Sequence, residues 1–362
     1  MIFYSKRSTL VFTVYFSLSF FVIGCNNSDA AKRKQPNPLL SKKQDSIVKN
    51  TAKPDQAVAS ETKPQPPAKL DTALYNKHVL HLVHDSASAK WPVKDVYPLP
   101  GALLPFNRIV AYYGNFYSTH MGILGELPPD EMLKKLQGEV KKWQAADTTT
   151  HVIPAIHYIA VTGQGKPGKG GKYILRMPFT QIDKALEMAK KINAIVFLDV
   201  QVGWSTVHTE IPMLEKYLSM PNVHLAIDPE FSMKTGRRPG TIIGTFDAAD
   251  INYVTNYLAQ LVKKNNLPPK ILVVHRFTIG MVTNYEKIAL RKEAQVVMDM
   301  DGWGFPAKKV NSYKLAVGTK PVQFTGFKLF YKNDIKTKPW NTIMKPEEVL
   351  KLYPRPVYIQ YQ

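Results

Sequence analysis

Cysteine is almost absent: Cys25 is the only one in 362 residues. No internal disulfide can form, so stability must come from core burial, which a chain of this length can supply. Carboxylates are scarce beside bases, 28 Asp and Glu against 48 Lys and Arg, for a formal net charge of +20. No Gly-x-Ser-x-Gly elbow occurs, which argues against a nucleophilic serine at a strand–helix turn. No His-x-His or His-x-x-x-His pair occurs either, so the local metal-binding spacings are missing. No Gly-rich phosphate loop follows an apolar run; Gly163-Gln164-Gly165 and Gly168 to Gly171 come nearest, with Lys and Pro interleaved. The apolar stretch Leu10 to Ile23 falls short of the roughly 20 residues that a bilayer span needs.

What that stretch does have is the form of an export signal. Lys6 and Arg7 precede it, and the small residue Gly24 stands before Cys25. Val22-Ile23-Gly24-Cys25 also resembles the lipobox of bacterial lipoproteins, which implies that Cys25 is acylated and becomes the mature N-terminus. A lipidated Cys25 is not available as a catalytic nucleophile. Residues 1–24 are therefore expected to be a lipoprotein signal peptide and 25–70 a lipid-anchored flexible linker, rich in Lys, Gln, Ser, Ala and Pro. The expected location is the cell envelope. A basic exported chain meets anionic headgroups and acidic glycans first, so a membrane contact through Cys25 and no nucleic-acid partner are expected.

Residues 71–106 read as an N-terminal extension, with a short helix over Tyr75–His84. From 107 to 362 β-branched and aromatic runs alternate with amphipathic helical stretches. The runs are Ile109–Tyr113, Val152–Val161, Ala194–Val200, Val223–Ile227, Ile271–His275, Ala294–Met300, Val322–Tyr331 and Val357–Tyr361. Helices are expected over Pro129–Ala146, Phe179–Asn193, Glu210–Met220, Ala248–Asn265, Asn284–Lys292, Lys309–Val317 and Pro346–Tyr353. Near-continuous apolar strands between helices indicate a covered parallel sheet. Eight of them fit a (β/α)8 TIM-type barrel, with an open doubly wound sheet as the alternative.

Barrel chemistry sits at the C-terminal strand ends. There stand Tyr112 and Tyr113, His157, Asp199 and Gln201, Asp228 and Glu230, His275 and Arg276, Asp299 and Asp301, Lys328 and Tyr331. Strand-end aspartates often cap the following turn, but acids recur on three strands. In Asp228-Pro229-Glu230 the two acids point the same way if the strand continues. Crowded carboxylates raise one another's pKa, which keeps one protonated near neutrality, as glycoside hydrolysis requires. Glu230 is the candidate general acid, with Asp228, Asp199 or Asp301 as the partner carboxylate. Tyr112, Tyr113, Trp204, Trp303 and Tyr331 offer flat faces to sugar rings. His157, Gln201, His275, Arg276, Asp299 and Lys328 complete the candidate substrate-binding set.

Tyr112-Tyr113-Gly114, Met121 to Glu126, Leu198-Asp199-Val200-Gln201, Leu225 to Glu230 and Asp301-Gly302-Trp303-Gly304 together resemble an uncharacterised family of secreted or lipid-anchored bacterial proteins with a glycoside-hydrolase-like barrel. More loosely, Asp228-x-Glu230 is similar to the end of the chitinase-type Asp-x-Asp-x-Glu strand, where the Glu is the acid. Ala226 stands where that pattern has its first Asp, which argues against acetamido-assisted chemistry. The reading is a lipid-anchored glycosidase acting on a cell-envelope or environmental polysaccharide, with no metal and no cofactor expected. Its rivals are a non-catalytic glycan- or partner-binding module, and a metal-dependent hydrolase or deacetylase. The last requires His157 and His275 to reach the same carboxylates.

Overall fold

The computed structural model describes residues 69–339 and 342–362. The signal segment, Cys25 and all of the linker but Lys69 and Leu70 lie outside them. Strands β1 (Asn107–Gly114), β2 (His151–Gly163), β3 (Ile195–Val200), β4 (Val223–Ile227), β5 (Lys270–His275), β6 (Ala294–Met300), β7 (Phe324–Leu329) and β8 (Tyr358–Tyr361) follow in order. Each pairs in parallel with the next, and β8 pairs with β1, so the eight strands close into a (β/α)8 barrel. Closure leaves none of these strands with an open edge.

Local sequence explains the helices that position the loops. Pro129 opens Pro129–Ala146 at a position where its missing N–H costs nothing. Ala248–Asn265 starts on a capping box between Asp247 and Asp250 and stops at left-handed Asn266. Their apolar faces cover the outside of the barrel, where Val110, Ile156, Leu198, Leu225, Leu272, Val296 and Ile359 are buried.

Two helix expectations need correction. Asn284–Lys292 contains only a 3-10 turn, Tyr285–Lys287. There Asn252 donates to Lys287 O and accepts from Ala289 N, which engages backbone groups a helix would have used. Glu210–Met220 divides at Pro212, which has no N–H to continue a helix, into Val207–Glu210, Pro212–Leu214 and Glu215–Leu218.

At the N-terminal end of the barrel, helix Thr72–Leu82 is capped by Asp71 and packs Leu82 with Leu104, Ile109 and Val357. Arg355 ties it down through the carbonyls of His81 and Leu82. A cavity of about 340 Å³ lies beside it, lined by Tyr75, Trp91, Gln323 and Phe324. The opposite end holds the polar strand termini.

Candidate active site

Alternation with period two decides which residues enter the barrel. Ile109 and Ala111 on β1, Ala155 on β2, Phe197 on β3, Ala226 on β4, Val273 on β5, Val297 on β6 and Tyr358 on β8 form an apolar floor. The next inward positions are Tyr113, His157, Asp199, Asp228, His275, Asp299, Lys328 and Gln360, all buried. A polar layer therefore rests on an apolar one, at the end where the βα loops open.

The layer is knit around two imidazoles. His157 Nε2 and His275 Nε2 lie 3.4 and 3.3 Å from Asp199 Oδ2. His275 Nδ1 faces Asp299 Oδ2 at 3.3 Å and Asp301 Oδ2 at 3.5 Å. His157 Nδ1 meets the Tyr358 hydroxyl and Gln360 Nε2. Register sets His275 beside Asp299, and Asp299 beside Gly326. A Cβ on Gly326 would fall 2.5 Å from Asp299 Oδ1, so only glycine leaves Asp299 its place. Tyr113 packs its ring 5.2 Å from that of His157, with Lys328 Nζ 3.8 Å above its face.

Burial and charge divide these groups by protonation. Burial alone would raise Asp199, yet the charge of His275 and the contacts of both imidazoles hold its carboxyl well below the usual range. Burial alone would lower His275, and Asp199 with Asp299 and Asp301 instead holds it well above 6.5. His157 is lowered by burial, against the pull of Asp199. Burial, then repulsion from Asp301, Glu230 and Asp199 in spite of His275, pushes Asp228 up. Burial also raises Asp301, against His275 and Lys328. Glu230 is pushed up to about 7 by burial first and Asp301 second, against Lys328 and His275.

The expectation that β4 runs on through Glu230 is corrected. The strand stops at Ile227, and Pro229–Phe231 forms a 3-10 turn. Asp228 Oδ1 accepts from Glu230 N at 3.0 Å, and Oδ2 accepts from Gln201 Nε2 at 3.2 Å. Asp228 thus holds Glu230 in place instead of pairing with it across a substrate. Asp199, 0 % exposed and turned toward the imidazoles, is too deep to touch a polysaccharide directly, and so is Asp299. Of the acids, Glu230 is part-exposed and Asp301 is 8 % exposed.

Three candidate binding residues face away from the mouth. Tyr112 is outward on β1, where its hydroxyl meets that of Tyr331 at 2.9 Å beneath helix Pro129–Ala146. Tyr331 stacks on Tyr361 and donates to Glu139. Arg276, next to inward His275, donates to the carbonyls of Ile279 and Val282 and braces that loop. Trp204 and Trp303 do stand at the loop end, 38 % and 46 % exposed. Trp204 packs 4.4 Å from Tyr173 and donates to Arg237 O, while Lys308 lies 4.8 Å over Trp303.

Residues the sequence reading passed over are Tyr358 and Gln360, whose spacing of two on the last strand was the available signal. Lys309 and Asp334 were missed as well. Both are buried; Lys309 Nζ bonds Asp334 Oδ2 at 2.7 Å and Lys328 O at 2.6 Å, while Asp334 accepts from Gly304 N and Phe330 N. That pair fastens the loop after β6 to the loop after β7, and no local pattern announces it.

No protein-family profile matches the chain, and no curated protein is significantly similar to it. Among solved structures it is similar to a GH5-4 broad specificity endoglucanase from an uncultured bovine rumen ciliate, at 12% identity over 65% of this chain and 76% of that one, TM-score 0.34. It is also similar to a ruminal GH26 endo-beta-1,4-mannanase, at 10% identity over 71% of this chain and 59% of that one, TM-score 0.33.

Proposed function

We propose that the chain is a glycoside hydrolase, tethered to the cell envelope by lipid on Cys25 and acting on a cell-envelope or environmental polysaccharide. The supporting observation is the gradient within the mouth: Glu230 and Asp301, from loops after β4 and β6, are the carboxylates nearest solvent, above buried Asp228, Asp199 and Asp299. Exposed Trp204 and Trp303 follow β3 and β6 and supply flat apolar faces for sugar rings. The tether rests on the lipobox-like Val22-Ile23-Gly24-Cys25.

In this reading Glu230, protonated up to about pH 7, gives its proton to the glycosidic oxygen as the bond to the anomeric carbon breaks. The bonding electrons leave with that oxygen. Asp301, as carboxylate, either attacks the anomeric carbon or takes a proton from the water that attacks it. In the first case ionised Glu230 then takes a proton from a water, the water oxygen bonds the anomeric carbon, and the bond to Asp301 breaks with its electrons returning to the carboxylate; in the second Asp301 gives its proton to solvent and Glu230 regains one from it. Lys328 and His275 offset the added negative charge. Asp228 keeps Glu230 in its turn.

Screening the full chain against envelope and plant glycans tests the proposal. Wild type should release reducing sugar from at least one, and Glu230→Gln should release none while keeping the wild-type circular dichroism. Undiminished turnover by the variant removes Glu230 as the acid. Glycan binding by wild type without cleavage of any substrate leaves a binding module instead.

A further inference from the structure

We propose that His157 Nε2, His275 Nε2 and Asp199 Oδ2 form a seat for one divalent first-row transition ion, with Zn²⁺ the best fit. The two imidazole nitrogens lie 3.4 and 3.3 Å from the same carboxylate oxygen, and the three ligand atoms fall within 4.8 Å of one another. A charge-assisted hydrogen bond would have closed to about 2.7–2.9 Å. The two separations from Asp199 Oδ2 instead match a tetrahedron's edge: bonds of about 2.0–2.1 Å to Zn²⁺ set neighbouring donors about 3.3 Å apart. Octahedral bonds of the same length would bring adjacent donors to roughly 2.9 Å.

A second observation points to the same place. His157, His275 and Asp199 are at most 1 % exposed. Yet His157 Nε2, His275 Nε2 and both Asp199 oxygens have no hydrogen-bond partner. Buried polar atoms are seldom left so, and these converge on one point from three strands. A cation bound there displaces the proton that the neighbouring carboxylates otherwise keep on His275 and takes lone pairs from all three residues together.

The surroundings suit the assignment. A metal-bound imidazole needs its other nitrogen held by a proton acceptor. Polar groups stand at both: Asp299 and Asp301 Oδ2 lie 3.3 and 3.5 Å from His275 Nδ1, near enough to take its proton though not hydrogen-bonded to it, and the Tyr358 hydroxyl and Gln360 Nε2 meet His157 Nδ1. Two imidazoles and one carboxylate select a transition ion over Mg²⁺ or Ca²⁺, which favour oxygen, and leave a fourth position free. The seat goes beyond the glycosidase reading and does not depend on it, since Glu230 contributes no ligand.

The test uses the full chain, purified and passed through metal-free buffer. Elemental analysis should find one Zn²⁺ per chain after Zn²⁺ is offered and the excess removed. Co²⁺ should give the intense visible bands of a tetrahedral site, erased by Zn²⁺. Asp199→Asn and His275→Gln should lose the ion, and Asp299→Asn should weaken it about 10- to 100-fold. Glu230→Gln should keep it in full, so loss of sugar release with the ion retained separates the acid from the seat. Wild type that holds no stoichiometric Zn²⁺ and gives no Co²⁺ bands overturns the proposal whatever the variants do. Full retention by folded Asp199→Asn overturns it as well.

Discussion

Glu230→Gln should stabilise the protein at alkaline pH while abolishing its chemistry. The folded chain raises the Glu230 carboxyl from 4.5 to about 7, burial first and the charge of Asp301 second. A group held more tightly protonated in the fold contributes stability that is complete below its unfolded pKa and is lost as pH rises through the folded one. The window therefore runs from about pH 4.5 to about 7. One pKa unit is about 1.4 kcal/mol, and Glu230 keeps partial access to solvent, so a loss of about 1–3 kcal/mol is expected across the window. Glutamine has no proton to lose there. At pH 4 the variant and wild type should unfold together in urea, and at pH 8 the variant should be the more stable by that margin. For a domain of this size the difference corresponds to a melting shift on the order of 5 °C. Equal stability of the two proteins at pH 8, or a variant weaker at both, would refute the view that Glu230 is buried among like charges.

The same pKa predicts that sugar release falls as pH rises above about 7 in a pH–rate profile of wild type. Asp334→Asn strips the counter-charge from Lys309, both side chains being 1 % exposed, and should cost about 3–5 kcal/mol in urea unfolding at pH 7. Burial, partly offset by Asp334, lowers Lys309 to about 8; without Asp334 it falls further, so the variant sheds that proton before wild type does, and its deficit should shrink as pH rises through 8 and level off above. Gly326→Ala drives a methyl against Asp299 Oδ1 and should destabilise by about 1–3 kcal/mol. Trp204→Ala and Trp303→Ala should raise KM for a polymeric substrate and spare kcat, measured by steady-state kinetics.

Much of the architecture was legible in the chain before its structure. Eight apolar runs separated by amphipathic helices announced the barrel, and the acids at their ends marked the mouth, because spacing and capping act within a few residues of where they are written. The phase of each strand was not legible. In a barrel strand both faces are buried, so Tyr112 and Tyr113, or His275 and Arg276, look alike in sequence. Pairing register alone turned Tyr113 and His275 inward, and Tyr112 and Arg276 out against helices and loops. The turn at Pro229, which made Asp228 a brace for Glu230, also depends on a partner that is distant in sequence, Gln201 on the neighbouring strand's loop. Closure brought His157 from β2 and His275 from β5 onto one oxygen of Asp199. That meeting depends on the circumference of a closed cylinder, a property no short stretch of residues contains.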